Sequence, residues 1–212
     1  GGDTAALVSV EMASGEKTVL AREPRTDAVD VLVHPSSKVV QAVAFTYERK
    51  AWKALDASIT DDLEYLRTVE DGDLEVVSRD LDDGQWIVAY LKDDGPRRYY
   101  RYEREPKTAT FLFTDRAALE GYSLAKMRPV VIKSRDDLDL VSYLTLPMES
   151  DKDGDGRPDR PMPMALWVHG GPWGRDDWGY SPFHQWLANR GYAVLSVNFR
   201  GSTGFGKSFI NA

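Results

Sequence analysis

Four strand-like runs lie between residues 74 and 113, and each is joined to the next by a tight turn. The runs are Leu74–Arg79, Trp86–Leu91, Tyr99–Arg104 and Thr110–Phe113. Between them stand Asp82-Asp83-Gly84, Asp93-Asp94-Gly95-Pro96 and Glu105-Pro106-Lys107, where Gly, Pro and Asp supply turn chemistry. Connections this short pair sequence neighbours as antiparallel sheet neighbours. Sheets of four such strands are what β-propeller blades are made of, although a β-sandwich gives similar spacing. The same pattern begins earlier, with Leu7–Met12 and Thr18–Ala21 flanking Ala13-Ser14-Gly15-Glu16. Val29–Val33 and Val39–Tyr47 follow, separated by His34-Pro35-Ser36-Ser37. Residues 50–70, with Leu55, Leu63, Leu66 and Val69, read as a mildly helical connection between blades.

Beyond residue 116 the pattern shifts. Ala117–Glu120 reads as a short helix, and Val130–Lys133 and Leu140–Leu146 as strands around Ser134–Asp137. Met164–Val168 is a continuous apolar run, which predicts a strand buried on both faces. Ser181 as N-cap and Pro182 at the first helical position open a helix with Phe183, Trp186 and Leu187 on one face, and Gly191 closes it. Tyr192–Phe199 reads as a second buried strand, which completes a parallel strand–helix–strand unit. The chain thus passes from all-β to α/β character near residue 147.

Composition removes several classes of function. Lys and Arg number 27 against 34 Asp and Glu, a net charge of −7 with no dense basic block, which disfavours nucleic acid as a partner. There is no cysteine, hence no disulfide, zinc–thiolate site or thiol nucleophile, and either redox compartment is compatible. No apolar run reaches the roughly 18–20 residues needed to span a bilayer. The start at Gly1-Gly2-Asp3 shows no charged region followed by an apolar stretch, so the chain reads as the inside of a longer protein.

The stretch Trp167-Val168-His169-Gly170-Gly171-Pro172-Trp173 carries the chemistry. A strand ends in His, and two residues without Cβ follow, so backbone N–H groups can approach a ligand closely. In α/β-hydrolases a loop of this kind gives one N–H of the oxyanion hole, which stabilises the charge that develops on a carbonyl oxygen during acyl transfer. A tight turn with a packing glycine is the plainer alternative. The strand before, the capped helix after and the second strand beyond all agree with the catalytic reading.

Three segments together carry a family resemblance: His169–Pro172, then Gln185–Val194, then Asn198-Phe199-Arg200-Gly201-Ser202-Thr203-Gly204-Phe205-Gly206. They closely resemble the prolyl oligopeptidase family of serine peptidases, in its acylaminoacyl-peptidase and dipeptidyl-peptidase-like branch. Tyr143–Pro147 is similar to the first strand of that family's hydrolase domain, and Asp80–Tyr100 to its last propeller blade. The resemblance implies the last blades of a β-propeller over 1–116. The linker and first strands of an α/β-hydrolase domain follow over 117–212. It further implies peptide substrates, a Ser-Asp-His triad and no required cofactor; oligomeric state is left open. Gly170 and Gly171 become candidate oxyanion donors, and the family's second donor follows its catalytic serine.

The family's Gly-x-Ser-x-Gly elbow has only near misses here: Gly121–Ala125 lacks the last glycine, and Gly179–Phe183 opens a helix. In the family the triad follows the Arg-Gly-Ser-Thr-Gly stretch, so none of it is expected in this chain, which should be inactive alone. Some relatives carry Tyr where His169 stands. His169 reads as a loop-orienting residue, with a catalytic base as the alternative. His34 reads as a surface residue and His184 as packed on its helix. A triad of Ser181, His184 and Asp176 or Asp177 is rejected, because Ser181 caps the helix. Arg200, at the carboxyl edge of its strand, is a candidate for substrate binding and equally a loop anchor.

Trp167, Trp173, Trp178 and Trp186 read mostly as packing. Asp151, Asp153, Asp155 and Asp159 follow the front half of a calcium loop, but Met162 stands where the bidentate Glu belongs, and a solvated acidic turn is the alternative. Asp61-Asp62, Asp82-Asp83 and Asp93-Asp94 read as solvated turn residues. A carboxylesterase or lipase is the second functional reading, and a non-catalytic propeller binding module the third.

Overall fold

Trp86, Val88 and Tyr90 alternate along one strand and are fully buried on the same face. That periodicity organises the N-terminal half in a computed structural model of the chain, which describes residues 2–171 and 173–212. Three antiparallel sheets form there. β1 (Leu7–Val10) pairs with β2 (Lys17–Ala21), and β3 (Ala28–Val33), β4 (Val40–Thr46) and β5 (Lys50–Ala54) form a second sheet. After helix α1 (Thr60–Val69), β6 (Asp73–Arg79), β7 (Gln85–Leu91), β8 (Arg98–Glu103) and β9 (Thr108–Thr114) pair in sequence order. That four-stranded meander is the blade-like unit the turn spacing predicts. All three sheets are open.

The buried face of β7 meets Tyr100 and Tyr102 of β8, Leu63 and Leu66 of α1 and Trp52 of β5 in one core. Each buried aromatic carrying a polar end has a partner for it. Trp52 Nε1 donates to Leu74 O at 2.8 Å, Tyr90 O–H to Leu66 O at 2.6 Å and Tyr102 O–H to Asp62 Oδ1 at 2.6 Å. The Lys50–Ala54 segment is a strand, not part of a helical connection; helix begins only at Thr60. Its pairing with β4 and the burial of Trp52 override a weak local propensity.

The acidic turns also differ from expectation. Asp62, Asp83 and Asp93 are buried. Asp83 accepts from Trp86 Nε1 and Arg104 Nη1, each at 2.8 Å, and pairs with Arg79. Asp93 accepts from Met127 N at 2.7 Å. These carboxylates fold inward because buried donors await them there.

A mixed sheet follows. β10 (Met127–Lys133), β11 (Asp139–Thr145), β12 (Met164–Trp167) and β13 (Ala193–Val197) lie in the order β10-β11-β13-β12. β11 runs antiparallel to β10 and β13, whereas β12 is parallel to β13 across helix α2 (Pro182–Ala188). Ser181 Oγ accepts from His184 N at 3.3 Å as N-cap. At the other end Gly191 N donates to Ala188 O and Tyr192 N to Leu187 O, a Schellman pattern made possible by Gly191 at φ +85°. The short helix α3 (Lys207–Ile210) had no counterpart in the sequence reading.

β12 is not buried on both faces. It pairs only with β13 among the described residues, and Met164, Leu166 (62% exposed) and Val168 face solvent. The inner face of α2 is His184 and Ala188, while Phe183 and Trp186 are 53% and 55% exposed. Of the four clustered tryptophans only Trp178 is packed inside, its Nε1 donating to Met127 O at 2.7 Å. Trp167, Trp173 and Trp186 stay outside because they lie on an edge strand, a loop and the outer helix face.

Candidate functional site

Where β12 ends, the chain must turn, and His169 sets the turn. Its Nδ1 lies 2.8 Å from Gly170 O, its Nε2 lies 2.9 Å from Ser202 Oγ, and its ring stacks on Phe199 at 4.5 Å between centroids. Gly174 allows this closeness: a Cβ there would sit 3.0 Å from Gly170 O and 3.3 Å from His169 Nδ1. The opposing wall is the 198–203 segment. Asn198, fully buried, accepts from Asp176 N at 2.7 Å and donates to Asp176 O at 3.0 Å, as a neighbouring strand would. Thr203 N donates to Gly174 O at 2.9 Å. The loop is therefore held at both ends.

The Gly170–Gly171 peptide is trans, so its C=O and N–H point in opposite directions. With the carbonyl turned to the imidazole, the Gly171 N–H points away from it. Gly170 and Gly171 are both exposed, and among the described residues neither N–H donates to a protein acceptor. The two glycines are not equivalent sterically. A Cβ on Gly170 would meet open space, whereas one on Gly171 would lie 2.9 Å from Trp173 N. Pro172, the last residue of the motif, lies outside the described residues.

The remaining candidates are placed elsewhere. Arg200 Nη2 reaches both carboxylate oxygens of Asp136 at 2.8 and 2.9 Å. Hydrogen bonding from Ser134, then from Arg200, pulls the Asp136 carboxyl down to about 2. In this arrangement Arg200 anchors its loop to the β10–β11 turn. His184 is 2% exposed, with Nδ1 2.9 Å from Thr145 Oγ1 and Nε2 2.8 Å from Ser196 Oγ, and burial depresses it to about 4. It is a packed helix histidine whose two ring nitrogens are both taken up by buried hydroxyls. Asp176 is pushed up by burial, an effect that His169 partly opposes.

Asp151, Asp153 and Asp155 each bring a carboxylate oxygen within 4.8 Å of the others, without Asp159. Asp151 already accepts from Gly156 N at 3.1 Å and forms an ion pair with Arg128 Nη2 at 3.0 Å. No described helix is long and apolar enough to cross a membrane.

The sequence marks His169 and the glycines, but nothing in it marks Asn198 and Asp176 as loop clamps or Ser202 as the partner of the imidazole. Their contacts join segments more than twenty residues apart, which no local spacing reveals. Arg175 is unmarked as well; its guanidinium donates to Thr46 O and Tyr47 O at 3.0 and 3.2 Å and ties this loop to β4.

No protein-family profile matches the chain. Among curated proteins, dipeptidyl aminopeptidase BIII of Pseudoxanthomonas mexicana is 52% identical over 212 residues, covering 100% of this chain and 31% of that protein. Dipeptidyl peptidase family member 6 of Caenorhabditis elegans is 36% identical, covering 93% of this chain and 29% of that protein. The chain therefore spans about a third of these relatives' lengths. Among solved structures, a Porphyromonas gingivalis dipeptidyl peptidase 4 matches with a TM-score of 0.68 at 17% identity, over 97% of this chain and 29% of that one. At that identity the likeness shows the fold alone.

Proposed function

The chain is a relative of the prolyl oligopeptidase family, in its dipeptidyl-peptidase and acylaminoacyl-peptidase branch, and on that premise we propose that it is the oxyanion-side portion of a serine peptidase. The full-length protein hydrolyses short peptides or blocked amino termini by acyl transfer. Residues 1–116 are blades of its propeller, and 117–212 begin its α/β-hydrolase domain; the β10-β11-β13-β12 order with one antiparallel member supports that assignment. The observation that carries the reading is the exposed Gly170–Gly171 pair, whose N–H groups have no acceptor among the described residues and whose carbonyl is turned inward onto His169.

Chemically, a serine oxygen bonds to the scissile carbonyl carbon as its proton passes to a base, the C=O π bond opens, and its electron pair becomes an oxyanion. When the C=O re-forms, the C–N bond breaks and the amine leaves with that proton. The Gly171 N–H donates to the oxyanion, and the second donor follows the serine in the rest of the protein. One preorganised donor of this type lowers the barrier by about 3–4 kcal/mol. Nucleophile, base and acid are supplied outside these 212 residues, and no cofactor is needed.

The test is turnover of aminoacyl and acetyl-aminoacyl naphthylamides by the full-length gene product beside the 212-residue chain. The reading expects turnover by the first and none by the second. Turnover of nitrophenyl esters alone would make the protein an esterase, and no turnover of any acyl substrate would leave a binding module.

A further inference from the structure

Ser202 is fully buried, and its backbone is fixed by Ser202 N donating to Phe199 O at 3.0 Å. Its hydroxyl has one described partner, His169 Nε2 at 2.9 Å. The opposite ring nitrogen faces Gly170 O at 2.8 Å. A carbonyl oxygen can only accept, so Nδ1 must carry a proton to make that bond. A neutral imidazole then has a lone pair at Nε2, which needs a donor. Ser202 O–H is that donor. The other tautomer would set the Nδ1 lone pair against the carbonyl lone pairs and release the peptide.

We propose that Ser202 is a positioning residue for acyl transfer: it fixes His169 as the Nδ1–H tautomer, which holds the Gly170 carbonyl and so aims the Gly171 N–H outward. The inference rests on the peptidase reading of this loop. Ser202 touches no substrate; it acts through the imidazole and one peptide plane. Two further contacts make the arrangement rigid. The Phe199 ring stacks on the imidazole at 18° to its plane, and Thr203 N on the next residue holds Gly174 O. Beside the bond from His169, only the backbone at Gly174 and Trp173 among the described residues confines the peptide plane of the exposed glycine pair, since a Cβ on Gly170 would meet nothing within 4 Å.

The test uses the full-length protein and separates kcat from KM. Ser202→Ala should lower kcat about tenfold, below the loss for removing a donor outright, and leave KM within about twofold, since only transition-state charge is affected. Asparagine places an amide N–H near the position of Nδ1 and has no tautomer to fix, whereas glutamine reaches toward Nε2. His169→Asn should therefore retain about tenfold more kcat than His169→Gln, and adding Ser202→Ala to His169→Asn should cost less than about twofold. A wild-type kcat in Ser202→Ala, or an undiminished loss on the His169→Asn background, overturns the proposal. Should Ser202→Ala not fold, the Asn and Gln variants decide alone, equal losses being the contradicting result. No acyl-transfer activity in the wild-type full-length protein would remove the peptidase reading, and this inference with it. An active enzyme indifferent to Ser202 removes only the inference.

Discussion

His184 of α2 and Ser196 of β13 face each other where the helix meets the mixed sheet, Nε2 to Oγ at 2.8 Å, with Thr145 Oγ1 on the far side of the ring and no carboxylate in contact among the described residues. The helix thereby docks on the sheet through an uncharged imidazole. Folding holds His184 at about 4, against 6.5 in the unfolded chain. Because the folded value is depressed, the unfolded state binds the proton first, and stability falls as pH drops from 6.5 toward about 4.

The difference amounts to about 3 kcal/mol across that window. Denaturant midpoints measured from pH 7 to 4 should fall more steeply for the wild type than for His184→Asn. Parallel curves would show that His184 does not carry this dependence.

Asp83 joins Trp86, Arg79 and Arg104 beneath the β6–β7 turn, with its own side chain 1% exposed and that of Arg79 6%. Removing its charge leaves the buried Arg79 guanidinium without this partner. Asp83→Asn is expected to destabilise by about 3–5 kcal/mol in chemical denaturation. A loss below about 1 kcal/mol would mean that Gln41, whose Oε1 accepts from Arg79 Nη2 at 2.7 Å, and solvent replace the carboxylate.

The acidic loop at Asp151–Asp155 is already neutralised in part by Arg128 and organised by Gly156 N. It also lacks a bidentate carboxylate at the position of Met162. Calcium at about 1 mM should therefore add less than about 0.5 kcal/mol, within about 1 °C of melting temperature. A rise of several degrees, abolished by Asp153→Asn, would establish a metal site.

Much of this architecture can be read along the chain where a residue has one conformational use. The β6–β9 meander follows from alternating residues between turns rich in Asp, Gly and Pro, and α2 from Ser181-Pro182 and Gly191. The Lys50–Ala54 strand could not be read that way, because Trp52 gains its place from pairing and burial rather than from its neighbours. For α2, Phe183 and Trp186 fit a helical stripe as well as His184 and Ala188 do. The choice is made by Thr145 and Ser196, which offer hydroxyls to the imidazole. Apolarity at Met164–Val168 is likewise silent on how many strands flank it. The Gly170–Gly171 loop stands out in the sequence through its glycines, but its bracing does not, since Ser202 and Asn198 reach it only in three dimensions.

Gly170→Ala and Gly171→Ala in the full-length protein, compared by kcat/KM on one aminoacyl naphthylamide, test the central claim most directly. A methyl on Gly170 enters open space, while one on Gly171 meets Trp173 N at 2.9 Å and displaces the Gly170–Gly171 peptide. Gly170→Ala should stay within about threefold of wild type, and Gly171→Ala should lose about a hundredfold or more with its melting temperature nearly unchanged. Equal, small effects at both positions would contradict the assignment of this loop to acyl transfer.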